Sequence, residues 1–321
     1  MRILVIGAGA VGGYFGARLA AAGRDVTFLV RDGRAEQLRR TGLQIFDVYG
    51  DVTVPASLLK LLTAEELKAR AGAGVGAFDL ILLSTKAYSL EAAMEDFAPA
   101  VGDATVILPL LNGMRHLDAL DTRFGAEHVV GGTTYIVADM DAEGCVHSMT
   151  GLHDVTFGER DNAVTERIKA MEATMTGAGF DVRLEVDIVA AMWQKWVMLA
   201  SAGAITCLMR GSIGAVVAAP GGVETARAII AECAAIATAN GYAPAKAAQA
   251  EGTLRLTEAG SRLRTSMYRD MQKGSRVEAD QILGDLLERG RRCGVEAPLV
   301  RAAFAQLSVY SAGLAAASVP N

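Results

Sequence analysis

The chain has 321 residues, of which 51% are hydrophobic and 21% charged, and its formal net charge at pH 7 is −5. This length allows two domains with large cores, and this composition excludes a disordered, collagen-like or disulfide-rich protein. A net negative charge argues against a nucleic-acid-binding surface, because phosphate binding requires clustered positive charge.

The cysteines and histidines give no sign of a disulfide framework or a metal site. The four cysteines are widely spaced and form no Cys-x-x-Cys pair, which is typical of a reduced, cytosolic protein. The four histidines show no His-Glu-x-x-His or similar ligand spacing, and His147 and His153 fall in a predicted strand region. We therefore expect a cytoplasmic protein without a metal ion.

Two apolar segments resemble export or membrane signals. The N-terminal segment has a basic residue, an apolar run and small residues, as a signal peptide does, but a glycine pattern within it accounts better for the same residues. Residues 188–209 are long enough to span a bilayer, yet they carry Gln194 and Lys195 in mid-segment and have no flanking basic cluster. We predict a buried helix there and no membrane partner.

The first half of the chain alternates short apolar runs with helical patterns, which is typical of βαβ units in a parallel sheet. The candidate strands are, in chain order, Arg2–Ile6, Asp25–Val30, Leu80–Ser84, Thr105–Leu108 and Val129–Val130. Thr63 and Glu66 form a predicted capping box that begins a short helix. Around Tyr135–Asp139 and Val146–Phe157 the pattern changes to strands bounded by glycine and polar residues, which suggests antiparallel additions to the sheet edge.

From about Asp187 the apolar spacing is helical almost to the end of the chain. Breaks in this pattern fall at Pro220–Gly222, Gly241, Gly274 and Pro298. The sequence therefore predicts an α/β domain over residues 1–186 and a helical domain over residues 187–321. A homodimer through the alanine-rich helices of the second half is compatible with this pattern, which does not establish one.

A glycine pattern follows the first predicted strand, where the sequence reads GAGAVG. In a dinucleotide-binding loop, Gly7 would allow the tight turn, Gly9 would let the backbone approach the pyrophosphate, and Gly12 would pack the helix closely on the strand. The phosphates would lie at the helix N-terminus beside Ala10 and Val11, where N–H groups and the helix dipole favour negative charge. This pattern indicates a doubly wound, Rossmann-type sheet.

Two basic residues bear on the choice of nucleotide. An acid at the end of the second strand binds the ribose hydroxyls of NAD, whereas a base there can accept the extra phosphate of NADP. Arg31 directly follows the predicted strand Asp25–Val30 and favours NADP, while the next residue, Asp32, keeps NAD open. Lys86 would lie at the carboxyl end of the sheet, where ligands bind, or would be an exposed loop lysine. The similar letters AGAGVG at 71–76 follow no strand, so we predict a loop there.

Lys195 stands out within its predicted helix. It shares a helix face with Met198 and Leu199, and the opposite face, with Trp193 and Trp196, is also apolar. A helix that is apolar on all sides is buried, so its lysine must be paired, extend to solvent or serve a function. Burial disfavours the charged ammonium, which suits a proton donor. A snorkelling lysine and a functional lysine both remain open on these residues alone.

A second polar cluster lies at 264–280, where the sequence reads RTSMYRDMQKGSRVEAD. Gly274 ends one predicted helix, and Ser275 with Glu278 can begin the next as a capping box. Glu278 therefore fits a cap, a ligand contact or both. Ser266, two turns before Gly274, is equally open.

Four motifs in sequence resemble those of the ketopantoate reductase (2-dehydropantoate 2-reductase) family. They are the N-terminal glycine loop, the LLNGM turn with Asn112, the Trp-x-Lys of 193–195, and TSMYRDMQKGSRVEAD. The likeness covers nearly the whole chain. It implies an NADPH-binding Rossmann domain, a helical domain of the 6-phosphogluconate dehydrogenase C-terminal type, and reduction of 2-dehydropantoate to pantoate in pantothenate biosynthesis.

The resemblance also implies roles for individual residues. Lys195 matches the catalytic lysine, which would donate a proton to the carbonyl oxygen of the substrate. Asn112 matches an asparagine near the nicotinamide and that lysine. Glu278 matches the glutamate that holds the substrate hydroxyl beside the cofactor, and Ser266 matches a serine that contacts the substrate carboxylate.

The same resemblance places Arg31 and Lys86 at the 2′-phosphate of NADPH. The chain departs from the family at Leu199 and Gly203, one and two helical turns after the lysine, where the family usually has asparagines that help to bind substrate. This change makes the expected pocket more apolar. Three functions remain open: a 2-dehydropantoate reductase, a reductase or dehydrogenase of a more apolar keto acid, and an inactive NADP-binding regulator.

Overall fold

A computed structural model describes residues 1–72 and 77–317 of the chain. The chain forms two compact units, the first made of Met1–Leu111 with His116–Val189 and the second of Asn112–Arg115 with the residues from Ala190 onward. The first unit contains a parallel sheet and the second is helical, so the predicted fold class is confirmed. The sequence divides the chain after residue 186, and the compact units divide after Val189.

The strands are, in chain order, β1 (Arg2–Ile6), β2 (Asp25–Leu29), β3 (Leu43–Phe46), β4 (Val52–Val54), β5 (Lys60–Leu62), β6 (Leu80–Leu83), β7 (Val106–Pro109), β8 (Gly131–Met140), β9 (Val146–Gly158) and β10 (Asp181–Leu184). The helices of the first unit are α1 (Ala10–Ala21), α2 (Asp32–Thr41), α3 (Ala64–Gly72), α4 (Leu90–Phe97), α5 (Arg115–Phe124) and α6 (Glu166–Met175). Those of the second are α7 (Ile188–Leu208), α8 (Ile213–Ala218), α9 (Gly222–Ala239), α10 (Lys246–Leu256), α11 (Ser266–Gln272), α12 (Asp285–Arg292) and α13 (Pro298–Ala317).

The first sheet is parallel throughout and has the strand order β5-β2-β1-β6-β7. Every residue of β6 and β7 is buried, as are Ile3–Ile6 of β1, because helices cover both faces of such a sheet. The four strands predicted before residue 110 are confirmed to within a residue of their ends. The predicted capping box is also confirmed at the start of α3, where Thr63 N donates to Glu66 Oε2 (2.8 Å) and Glu66 N to Thr63 Oγ1 (3.3 Å).

The later strands form a second sheet, which corrects the expectation that they extend the first. β8 pairs antiparallel with β9, and β9 also pairs in parallel with β3 and β10. The strand predicted at Val129–Val130 is wrong, because Val129 makes one isolated bridge to Ile107 and β8 begins at Gly131. Alternation of apolar and polar residues identifies a half-buried strand, but it does not identify the strand's partner.

The helical half follows the predicted breaks, and α8, α9, α11 and α13 begin or end within two residues of them. The capping box predicted at Ser275 and Glu278 is wrong in register, because the helical run begins at Ala279, three residues later than the box requires. That run opens with a π-helical turn at Asp280–Gly284. Of the AGAGVG letters, Ala71 and Gly72 close α3, and the remaining four lie outside the described residues.

Two helices are long and apolar enough to cross a membrane when judged by length and composition alone. They are α7 and α13, and 61% of the most apolar part of α7 is buried inside the protein, against 17% for α13. The predicted helix at 188–209 is therefore confirmed as a helix, and most of it packs inside the protein.

Candidate functional site

The glycine loop of the first unit has the geometry that its three glycines predict. Gly7 has φ of +86°, a left-handed conformation that favours glycine. A Cβ on Gly12 would lie 2.4 Å from the carbonyl oxygen of Gly7 and 2.3 Å from Ser84 Oγ, so only glycine fits there. A Cβ on Gly9 would meet nothing within 4 Å, so the loop is open at that point.

The start of α1 offers donors to an anion beside this loop. Since α1 begins at Ala10, the N–H groups of Ala10, Val11 and Gly12 belong to its first turn and have no partner within the helix. Thr85 lies close to Gly7, and its buried Oγ1 has no hydrogen-bond partner within residues 1–72 and 77–317. An open backbone cradle beside an unsatisfied hydroxyl fits the pyrophosphate of a dinucleotide.

Arg31 and Lys86 follow the two strands on either side of β1, which carries the loop. Arg31 caps α2 with its backbone, since its carbonyl accepts from Ala35 N at 2.9 Å, and its side chain is exposed. Lys86 is exposed and precedes a short 3₁₀ turn. Burial raises the pKa of Asp96, and the positive charge of Arg31 opposes that rise. Because carboxyl ends of parallel strands share one edge, both bases lie at the edge that carries the loop.

Sequence reasoning missed Arg34, which contacts the loop from α2. Its Nε and Nη2 donate to the carbonyl oxygen of Ala8 at 3.2 and 2.9 Å, and Nη2 also donates to Gly144 O at 2.9 Å. Burial lowers the pKa of Arg34 below its usual value. No spacing rule points to this residue, because an arginine in the first turn of a helix normally indicates a solvated surface.

In the second unit, Lys195 lies on the more open face of α7. Lys195, Met198 and Leu199 are half-buried, whereas Trp193 and Trp196 on the other face are 3% and 1% exposed. Trp196 Nε1 donates to Ile282 O at 2.9 Å, so the tryptophan face anchors the helix. Lys195 is thus only partly enclosed, because α7 packs mainly through its opposite face.

Asn112 and Glu278 belong to neighbouring segments of this unit. Gln281 Nε2 donates to Asn112 O at 2.9 Å, and Gly113, with φ of +77°, passes so close that a Cβ would lie 2.6 Å from Gln281 O. Glu278 is 8% exposed and directly precedes the same helical run, where its carbonyl accepts from Ile282 N at 3.0 Å. The π-helical turn thus holds the Asn112 turn close to the segment of Glu278, and such turns often occur at functional sites.

Ser266 begins α11, which is fixed to α7 beyond Lys195. Thr265 caps α11 by accepting from Tyr268 N at 3.2 Å, and its hydroxyl lies 2.9 Å from that of Thr206 on α7. A Cβ on Gly203 would lie 2.8 Å from the terminal methyl of Met267. The methionine methyl therefore occupies space next to Gly203. Between Lys195 and this contact, α7 presents Met198 and Leu199, which offer no strong hydrogen-bonding group.

The structure therefore places the predicted residues in two groups. Gly7, Gly9, Ala10, Val11, Gly12, Arg31 and Lys86 belong to the first unit, and Asn112, Lys195, Ser266 and Glu278 belong to the second. In the second group, α7 bears the lysine and is bonded to the π-helical turn and to the start of α11. Hydrogen bonds thus join the segments that bear Lys195, Asn112, Ser266 and Glu278 within one unit.

Comparison with known proteins gives matches along nearly the whole chain. The family profile described as "Ketopantoate reductase PanE/ApbA" matches residues 3–162, and "Ketopantoate reductase PanE/ApbA C terminal" matches residues 187–311. An uncharacterized oxidoreductase of Bacillus subtilis, YkpB, is 36% identical over 97% of this chain and 99% of its own length. A 2-dehydropantoate 2-reductase of Mesorhizobium japonicum is 28% identical over 95% of this chain and 96% of its own.

A solved structure gives a similar result. The crystal structure of 2-dehydropantoate 2-reductase from Geobacter metallireducens superposes with a TM-score of 0.85 at 30% sequence identity, covering 96% of this chain and 99% of that one. The similarity therefore extends through both compact units.

Proposed function

Because the chain belongs to the ketopantoate reductase family of oxidoreductases, which reduce 2-keto acids to 2-hydroxy acids, we propose that it uses NADPH for this reaction. The first substrate to consider is 2-dehydropantoate, reduced to pantoate for pantothenate biosynthesis. One observation carries the proposal: the half-buried Lys195 lies on a helix that is bonded to the segments bearing Ser266 and Glu278.

The proposed roles follow from the chemistry of each side chain. The nicotinamide, when bound, supplies the hydride that adds to the carbonyl carbon. Lys195 holds a proton on Nζ and donates it to the carbonyl oxygen, which becomes the hydroxyl of the product. Ser266 donates its hydroxyl hydrogen to the substrate carboxylate. Asn112 and Glu278 orient the substrate from the neighbouring segments, Glu278 through the substrate hydroxyl.

Arg31 and the glycine loop support NADPH as the cofactor. The open backbone at Gly9 and the first turn of α1 fit the pyrophosphate, and the exposed guanidinium of Arg31 suits a 2′-phosphate, with Lys86 as a second positive charge. Asp32, the first residue of α2, is the group that would favour the ribose hydroxyls of NADH instead.

A more apolar keto acid is the second candidate substrate. Met198 and Leu199 follow Lys195, and the methyl group of Met267 occupies the space beside Gly203. These groups offer hydrocarbon and thioether contacts to the substrate tail, and burial of an apolar tail against them is favourable. On the face of α7 that bears Lys195, Met198 and Leu199 offer no strong hydrogen-bonding group to a second polar group in the tail.

A panel of 2-keto acids separates the two candidates. We would measure kcat/KM with NADPH for 2-dehydropantoate, 4-methyl-2-oxopentanoate and phenylpyruvate, with the native protein and with Leu199→Asn. If the substrate tail is apolar, the native protein prefers the hydrocarbon acids, and Leu199→Asn lowers their kcat/KM by about tenfold, the value of one lost apolar contact. If 2-dehydropantoate is the substrate, it is preferred by the native protein and the variant does not weaken it.

The matched control is Leu254→Asn, which makes the same change at a leucine that is 73% exposed on α10. It should leave every kcat/KM in the panel unchanged. A native protein that binds NADPH but turns over none of the acids would contradict the proposal and support a regulator.

We propose a cytoplasmic location, where thiols stay reduced. The support is that Cys145, Cys207, Cys233 and Cys293 are all free. Burial raises the pKa values of Cys207 and Cys233 to about 12, so both remain protonated thiols of low reactivity at neutral pH.

A further inference from the structure

Arg34 links three segments of the first unit. Its guanidinium reaches from α2 to the glycine loop at Ala8 and to the turn between β8 and β9 at Gly144. Gln37 supports it on both sides, because Gln37 Oε1 accepts from Arg34 Nη1 at 2.6 Å and Gln37 Nε2 donates to Glu143 O at 2.6 Å. The guanidinium of Arg34 has five N–H donors and makes four hydrogen bonds within the protein. Arg34 is therefore bound chiefly to its own chain.

The contact with Ala8 determines how the next peptide group is oriented. A peptide bond is planar and trans, so the N–H of Gly9 points in the direction opposite to the C=O of Ala8. Two guanidinium nitrogens hold that carbonyl, and the Gly9 N–H is therefore directed away from α2. On Gly9 nothing lies within 4 Å of a Cβ position, which leaves room for a ligand to approach the backbone.

We propose that Arg34 is a positioning residue for the cofactor pyrophosphate: it binds the Ala8 carbonyl and thereby orients the N–H groups of the glycine loop. It acts through the loop and does not itself bind the phosphates. This inference rests on the proposed use of NADPH. It also explains why the two arginines at the start of α2 have different surroundings: Arg31, at the N-cap, has an exposed side chain, and Arg34 is half-buried against the loop.

The test compares two ligands that differ in the pyrophosphate. Dissociation constants would be measured for NADPH by its fluorescence and for adenosine 2′-monophosphate, which has no pyrophosphate, by calorimetry. For Arg34→Gln we expect NADPH to bind about tenfold more weakly, equal to about 1.4 kcal/mol, and adenosine 2′-monophosphate to bind as in the native protein. Arg34→Lys should behave like Arg34→Gln, because an ammonium cannot reproduce the forked contact with two carbonyls.

The charge-matched control is Arg39→Gln, which removes an arginine from the same helix where the side chain is half-exposed and pairs with Glu66. It should leave both constants unchanged. If Arg34→Gln does not fold, Gly144→Ala provides a second variant, since its Cβ would lie 2.1 Å from Arg34 Nη1 and would displace the guanidinium. The same selective loss of NADPH is expected there.

Each alternative result overturns the inference in a recognisable way. Unchanged NADPH binding in Arg34→Gln would show that the loop does not need the contact. Equal weakening of both ligands would indicate a general disturbance of α2, and full affinity in Arg34→Lys would indicate that only the positive charge matters. A native protein that does not bind NADPH would instead refute the proposed cofactor.

Discussion

At the scale of single residues, Gly12 determines how closely α1 approaches the first sheet. A Cβ there would lie 2.4 Å from Gly7 O, a backbone atom that cannot move without displacing the loop. We expect Gly12→Ala to lower the midpoint of thermal unfolding and to weaken NADPH binding by more than about tenfold, or 1.4 kcal/mol. Calorimetry would measure the unfolding midpoint, and a fluorescence titration would measure NADPH binding.

Gly313 is a suitable control, because a Cβ on this helical glycine of α13 would meet nothing within 4 Å. Gly313→Ala should leave NADPH binding intact and stabilise the helix slightly, since alanine has the higher helix propensity. Normal NADPH binding by Gly12→Ala would show that the loop can tolerate a side chain.

Arg31 provides the second prediction at this scale. Its exposed guanidinium is proposed to bind the 2′-phosphate, which only NADPH carries. Arg31→Gln should lower kcat/KM for NADPH by roughly 10- to 100-fold, the value of one charge-assisted hydrogen bond, and should leave that for NADH almost unchanged. Steady-state kinetics with both cofactors tests this, and an equal loss with the two would exclude Arg31 as the selecting group.

At the scale of elements, a buried acid joins the end of β9 to the start of α6. Glu159 accepts from Arg167 Nε and Nη2 at 2.7 and 2.6 Å and from Thr165 Oγ1 at 2.6 Å, while Thr165 caps α6. The hydrogen bonds from Arg167 lower the pKa of Glu159 most, and Thr165 adds to the effect. A lowered pKa stabilises the fold above the unfolded value of about 4.3, and this stability is lost as pH falls through the folded value.

Thermal unfolding from pH 7 down through the unfolded value of about 4.3 would test this network, because the stabilisation by the charged Glu159 is lost as pH falls below that value. The native midpoint should fall with decreasing pH, and Glu159→Gln should start lower at pH 7 and fall less steeply. Glu172→Gln, a change on α6, serves as a control for the loss of one negative charge. Parallel curves for native protein and Glu159→Gln would mean that Glu159 contributes nothing to acid sensitivity.

The elements also show what the sequence could predict. The parallel strands could be predicted because each is a short apolar run before a helix. The Thr63–Glu66 cap could be predicted because both partners lie within one short segment of the chain. The strands that pair with β9 could not be predicted from the sequence, since pairing between distant segments leaves no local pattern. Ser275 and Glu278 match the capping pattern, yet the helix begins at Ala279, because tertiary contacts of the π-helical turn override a local signal.

In the candidate site, too, the sequence predicts some residues and misses others. The glycine loop and Lys195 stood out because their residue types contradict their surroundings, glycine in a helix start and lysine in an apolar helix. Arg34 and Met267 did not stand out, because an arginine on a helix and a methionine in an apolar face are ordinary. Their importance comes from contacts with segments distant in the chain, at Ala8 and Gly203.

At the scale of the whole molecule, the two units carry different parts of the proposed reaction. The first contains the glycine loop, Arg31 and Lys86, and the second contains Lys195, Asn112, Ser266 and Glu278. A regulator that had lost turnover would need only the first set. The second set, held on and around α7, is what the proposed reduction requires. Assembly into a homodimer stays a prediction, and sedimentation velocity would measure it.

The most direct test of the reductase account is NADPH oxidation in the presence of 2-keto acids, for the native protein and for Lys195→Met, with NADPH binding measured separately. The account predicts turnover of at least one keto acid by the native protein. It predicts that kcat in the variant falls by about 10²- to 10⁴-fold, the usual contribution of a general acid, while the NADPH dissociation constant is unchanged. A variant that turns over at the native rate, or a native protein that binds NADPH and reduces no keto acid, would contradict it.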